Sequence, residues 1–267
     1  MSPAPVALLF LCFGLSLQIS TAQNTAVTDP SKKPPGPVYS GMLYPNPSSK
    51  SITTPTAWGG ARSYVFGFIG GDFPQPYRDK PDLVAAAGIG LGNAYKTIGI
   101  TGICNLNDVH RFRNFTASFI ASKCFGKGNS LSVGGLNLFM NTKQSDGTSS
   151  YYFVYSHAVQ TLQSFTPGYS RLCYSIGVGT GRFLQQSPKD IAVGKSHNGT
   201  AVFGNMSYEV FKNFNVNGEW NGLNLGFGAA WRPGFKFPAL AIGVTDLTRF
   251  SNRKPSFVIG IGQAFTL

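Results

Sequence analysis

The chain has 267 residues and a formal net charge of +12, yet only 12% of its residues are charged, about half the share of an ordinary soluble domain. That length suits one large all-β domain or two smaller ones. After the N-terminus no apolar run reaches the roughly 18 residues that a crossing helix needs, so any membrane reading must go through strands.

Residues 1–22 read as an export signal. Val6 to Leu17 is apolar and of signal-core length, and Ser20-Thr21-Ala22 is a small-residue cleavage site. No Lys or Arg precedes Lys32, so the terminal amine alone supplies the leading positive charge. An exported, basic protein meets anionic lipid or anionic solutes rather than nucleic acid. Residues 23–61 are rich in Pro, Ser and Thr. That composition reads as an extended linker, or as a plug folded into a barrel mouth.

From Arg62 the pattern changes to short alternating runs. Strands are predicted near 62–71, 82–93, 95–106, 112–124, 130–140, 149–160, 170–182, 199–210, 213–220, 223–232, 238–247 and 255–267. The separators carry turn chemistry such as Asn-Asp, Ser-Asp-Gly and Thr-Pro-Gly. The runs give about twelve strands, within a range of 10–14, and an even number is what single-chain bacterial barrels have. No crossover helices fit, so the pairing is antiparallel. The expected fold is all-β: a closed up-and-down barrel over 62–267.

In the last run Phe257, Ile259, Ile261, Phe265 and Leu267 share one face, while Ser256, Gly260, Gly262, Ala264 and Thr266 share the other. In 171–180, Leu172, Tyr174, Ile176 and Val178 oppose Cys173, Ser175, Gly177 and Gly179. Asn221-Gly222 suggests a two-residue type I′ turn, in which Trp220 faces Leu223 and Val216 faces Phe227. A soluble barrel would carry many charges on its wet face. Here the second face is Gly, Ala, Ser and Asn, which suits a crowded concave interior. The apolar, aromatic face is then the one turned to lipid. The competing reading is a secreted soluble barrel that holds an apolar ligand.

The C-terminal octet Gly-Ile-Gly-Gln-Ala-Phe-Thr-Leu resembles the assembly signal that closes bacterial outer-membrane barrels, with Gly262, Phe265 and Leu267 in the matching places. Gly260 stands where a polar residue is usual. Further stretches are Thr-Pro-Thr-Ala-Trp-Gly-Gly (54–60), Gly-Ile-Gly-Leu-Gly (88–92), Gly-Val-Gly-Thr-Gly-Arg-Phe (177–183), Gly-Glu-Trp-Asn-Gly-Leu-Asn-Leu-Gly (218–226) and Gly-Val-Thr-Asp-Leu (243–247). They resemble barrel proteins of Gram-negative bacteria and cyanobacteria and, more loosely, YjbH-type outer-membrane proteins linked to exopolysaccharide. The resemblance implies fold, an outer-membrane location, and outer-membrane lipid and the barrel-assembly machinery as partners. It implies no functional residue.

Other motifs carry less. Gly88-x-Gly90-x-Gly92 and Gly177-x-Gly179-x-Gly181 lack the following helix of a dinucleotide site, and read instead as small inward faces of strands. Ser156 and His157 are neighbours, so in a strand they point to opposite faces. No nucleophile elbow is present, and no enzyme activity or cofactor is expected. Three cysteines, Cys104, Cys124 and Cys173, follow the signal, and no CxxC pair suggests a metal. Glu209, Glu219 and Asp246 fall within predicted strands. With Arg182 and Arg249 they are candidates for a lumen charge set, either tuning entry or rigidifying a narrow interior. The expected function is a passive pore or structural barrel, with anionic solutes as a further candidate partner.

Overall fold

A computed structural model describes residues 41–49, 51–73, 82–139, 148–184, 194, 199–234, 237–248 and 255–267. The expected signal peptide therefore lies outside the described residues, as does the first part of the 23–61 segment.

Twelve strands close into one antiparallel barrel. They are β1 Tyr64–Phe73, β2 Asp82–Gly92, β3 Gly99–Asp108, β4 Arg113–Phe125, β5 Asn129–Leu138, β6 Ser150–Ala158, β7 Leu172–Gly179, β8 Val202–Phe211, β9 Phe214–Trp220, β10 Leu225–Trp231, β11 Ala239–Thr245 and β12 Ser256–Thr266. Each strand pairs with its sequence neighbours. β1 meets β12 from Tyr64↔Thr266 to Phe73↔Phe257, which removes the sheet edge.

The alternation seen in sequence sets the two faces. Phe257, Ile259, Ile261, Phe265 and Leu267 all point outward and are exposed, Phe257 by 66% and Leu267 by 68%. Ser256, Val258 and Ala264 point inward and are buried. Aromatic rings mark both ends of the outer wall. Phe73, Phe112, Phe115, Tyr151 and Phe257 stand at one end, and Phe125, Tyr174, Tyr208, Phe211, Trp231 and Phe265 at the other. Aliphatic side chains such as Ile69, Ile89, Val133, Ile176 and Ile242 fill the band between.

Two sequence expectations are corrected here. The first concerns the interior, which is not lined by small residues alone. Tyr64, Phe66, Phe68, Tyr152 and Phe203 point inward and are buried. Each ring lies where a glycine leaves room. A Cβ at Gly88 would strike the Phe66 ring, one at Gly90 the Tyr64 ring, one at Gly134 the Tyr152 ring and one at Gly177 the Phe203 ring. The period-two glycines are thus seats for aromatic rings from adjacent strands.

The second concerns the β9–β10 hairpin. Trp220 pairs with Leu225 and Val216 with Ala229, two residues away from the expected register. The connection is 221–224. Gly222 has φ +95° while Asn221 is absent from the positive-φ residues, so the type I′ geometry is not met. Instead the Asn221 side-chain oxygen accepts the backbone N–H groups of Leu223 (2.9 Å) and Asn224 (2.7 Å). A two-residue shift preserves parity, so Glu219 still faces inward.

Candidate functional site

The lumen is occupied by the chain's own residues. The segment before β1 enters at the end of the barrel where the chain both begins and ends its strands. Tyr44 bridges Tyr169 in the β6–β7 connection, its N–H donating to the Gly168 carbonyl (2.9 Å) and its carbonyl accepting from the Ser170 N–H (2.7 Å). Ser48 donates to the Asn213 carbonyl in the β8–β9 turn (2.8 Å). The chain then climbs to the inner face of β9, turns at Ser51–Thr54, and descends. On the way down the Ala57 N–H donates to the Ser156 hydroxyl (2.8 Å) and its carbonyl accepts from Ser130 (2.6 Å). The Gly60 carbonyl finally accepts the Ala94 N–H (2.9 Å), next to β1. Ile52, Ala57 and Trp58 are buried along this path.

Glu219 holds the top of the climb. Its carboxylate accepts the backbone N–H groups of Ile52 (2.9 Å) and Thr53 (2.8 Å), the hydroxyl of Thr53 (2.5 Å), and the hydroxyl of Ser51. Asn205 donates to the Thr54 hydroxyl from β8 (2.8 Å). The Glu219 side chain is buried, and N–H and O–H donors converge on it. Burying a carboxyl group without such partners would be costly. Ile52 is fitted against Gly228 and Gly243, where added Cβ atoms would strike its Cδ1.

The remaining candidate residues do not gather into one charge set. Glu209 is buried at the opposite end of β8 and accepts the N–H groups of Phe165 and Asn213 (3.0 Å each), tying two connections together. By register it sits four residues from Asn205, the partner of Glu219, so the two carboxylates are about 13 Å apart along the wall. Asp246 follows β11 rather than lying in it. It has φ +57° and accepts the Asn224 side-chain N–H (2.7 Å). Arg182 lies in a short 3-10 turn, Gly181–Phe183, with its guanidinium 5.7 Å from the Phe183 ring centre. Arg249 lies outside the described residues. Gly262 faces the Phe68 ring, and Phe265 and Leu267 face outward.

Sequence reasoning missed the segment's donors, because Ser51 to Thr54 look like any polar turn until Glu219 is placed above them. It also missed Arg232, which is buried just beyond β10. Burial pushes its guanidinium down to about 10.

Buried amides extend around the interior. Asn105 donates to Ser118 (3.0 Å) and Asn107 to Thr116 (3.0 Å), while Asn215 donates to Ser207 (3.2 Å). The side-chain oxygens of Asn105, Asn107 and Asn215 have no protein partner. Such atoms are ones that water would satisfy in the lumen beside the segment.

Ser156 and His157 point to opposite faces. Ser156 bonds Ser175 inside (2.7 Å), and His157 bonds Asn129 outside (2.9 Å), where Tyr155 also donates to Asn129 (2.6 Å). The three cysteines among the described residues are free, with Cys104 exposed and Cys124 and Cys173 buried.

The class defined by this geometry is a closed antiparallel β-barrel with an apolar outer wall and an occupied lumen. No family model and no curated protein matches the chain. Among solved structures, a KdgM porin is similar at 12% identity and a TM-score of 0.43, over 76% of this chain and 99% of that chain. A KdgM porin in complex with disordered oligogalacturonate is similar at 9% identity and a TM-score of 0.40, over the same shares. An active-site mutant of outer membrane phospholipase A from Escherichia coli is similar at 9% identity and a TM-score of 0.38, over 92% of this chain and 98% of that chain. At these values the likeness is distant.

Proposed function

We propose that the chain is a porin-like outer-membrane β-barrel that rests shut, with residues 41–61 as its plug. The observation that carries the location is the outer wall. Every strand turns aliphatic and aromatic side chains outward, while Asn, Ser, Thr and Glu are buried inside. Water would not tolerate so continuous an apolar surface, and lipid requires it. A soluble barrel with an apolar ligand inside would need the reverse arrangement. Export through residues 1–22, insertion by the barrel-assembly machinery on the terminal Gly262, Phe265 and Leu267 pattern, and kinship with YjbH-type proteins belong to this same proposal.

The role is passive. Hydroxyl and amide groups line much of the lumen, and its buried ionisable side chains among the described residues are Glu209, Glu219, Arg232 and Asp246. That lining suits small neutral polar solutes better than the anions which the net charge alone suggests. Conduction then requires the segment to leave.

Membrane fractionation with a heat-modifiability gel tests the location. Recovery in the outer membrane with a mobility shift on boiling is the expected result, and recovery as a soluble periplasmic protein would overturn it. Planar-bilayer recording tests the shut state, which predicts small and infrequent conductance steps.

A further inference from the structure

The two ends of the barrel differ in charge. At the end where the strands begin and end, the connections are 93–98, 126–128, 159–171, 212–213 and 232–238. None of them contains Asp or Glu. They supply Lys96, Lys127, Arg171, Lys212, Arg232 and Lys236, of which Arg232 is buried, and Arg62 and Lys123 stand beside them. Arg62, Lys96, Lys127 and Lys212 are exposed, and Lys123 and Arg171 are half-buried. The acid nearest this rim, Glu209, is buried and turned inward on backbone N–H groups. The opposite end is mixed: Asp108 pairs there with Arg113 (2.8 Å), and Asp246 lies on that side. The exposed rim cations thus have no acidic neighbours in their own connections.

Two of these cations are held in place. The Arg171 guanidinium lies 4.5 Å from the Phe165 ring centre and 5.0 Å from that of Tyr208, and its Nε donates to the Glu209 carbonyl (3.0 Å). Lys123 donates to the Lys96 carbonyl (2.9 Å). Tyr208 belongs to the aromatic row that marks this edge of the apolar wall. Arg171 therefore sits at headgroup depth, and Nε is the one of its N–H groups with a described hydrogen bond.

We infer that this rim is a docking surface for anionic phospholipid headgroups, with Arg171 between Phe165 and Tyr208 as its preorganised phosphodiester site. The inference rests on the membrane-barrel reading. The connections at this end are the shorter set, against 74–81, 109–112, 139–149, 180–201, 221–224 and 246–255 at the other. Short turns mark the periplasmic side of such barrels, so the rim meets the phospholipid leaflet. A ring of fixed positive charge there holds the barrel at one depth and in one orientation.

The test is vesicle flotation and native mass spectrometry of the folded full-length protein, with phosphatidylcholine alone or mixed with phosphatidylglycerol. The wild type is expected to retain phosphatidylglycerol over phosphatidylcholine, with a loss of about fivefold for each rim charge removed. Arg171→Gln removes the fixed site. Because that side chain also packs, a second variant changes only the exposed Lys96, Lys127 and Lys212 to Gln. Arg111→Gln at the other end should leave the preference unchanged. Equal retention of both lipids by wild type and variants, with normal flotation, overturns the headgroup site and leaves the barrel reading intact. Failure to float with any vesicle overturns both. Displacement of the lipid by millimolar inorganic phosphate alone would show a free-anion site and overturn the lipid assignment.

Discussion

A carboxyl group buried inside a barrel must find hydrogen-bond partners or its burial is costly. Glu219 finds them in the segment that crosses the lumen, as backbone N–H groups of Ile52 and Thr53 and hydroxyls of Ser51 and Thr53. Glu219→Ala strands all of these donors and should cost about 2–4 kcal/mol, read as a lower urea midpoint of the folded protein. Glu219→Gln keeps one acceptor and should cost about 1.5–3 kcal/mol. Both should raise the frequency of conductance steps; unchanged recordings would mean that Glu219 does not hold the segment. The inward glycines make a second residue-scale case. A Cβ at Gly177 would meet the Phe203 ring and lie 2.6 Å from the Phe153 carbonyl oxygen. Gly177→Val should therefore destabilise by about 1–3 kcal/mol, and a neutral effect in the same unfolding series would count against the ring-on-glycine packing. The glycine spacing was legible in sequence as an inward face. The rings that fill it were not, because Tyr64, Phe66 and Phe68 share a strand with outward Val65 and Ile69, and an apolar residue on each side erases the alternation.

At the scale of elements, strands were legible because period two and turn residues report the same thing. β4 through β12 stand where the runs predicted them, with ends that differ by three residues at most. β3 begins at Gly99 rather than at 95, because Asn93 caps a turn there: its side-chain oxygen accepts the N–H groups of Tyr95 (2.9 Å) and Lys96 (3.0 Å). The same side-chain chemistry defeated the β9–β10 register. Asn-Gly is a type I′ signal only when both residues adopt φ > 0, and Asn221 uses its side chain for an Asx-type turn instead. Gly222 is also pinned by a close approach, since a Cβ there would strike the Phe183 carbonyl. Asn221→Ala should lower stability by about 1 kcal/mol through two lost acceptor bonds. Gly222→Ala should cost more, because its φ of +95° and the Phe183 contact both resist a side chain. Thermal unfolding of the two variants side by side checks the order; a milder Gly222→Ala would contradict this view of the turn.

For the whole molecule, the question is whether the barrel needs the segment it contains. The wall closes through β1 and β12 over ten register pairs, from Tyr64↔Thr266 to Phe73↔Phe257, and none of these involves residues before 64. The segment contributes contacts across the lumen instead: Tyr44 at the rim, Ile52 and Glu219 at the turn, and Ala57 with Ser130 and Ser156 on the return. Its Pro, Ser and Thr content fitted a linker as well as a plug, because what fixes it in place lies on β5, β6, β8 and β9, far away in sequence. Replacing residues 43–58 by a Gly/Ser linker of equal length should therefore leave a barrel that still shifts on boiling, with a lower unfolding midpoint. The same protein in planar bilayers should show larger and more frequent conductance steps than the wild type, with Glu219→Gln between the two. A barrel that still forms but conducts no better than the wild type would mean that side chains such as Phe66, Tyr152 and Phe203 close the lumen by themselves, and that the segment stiffens the barrel rather than sealing it.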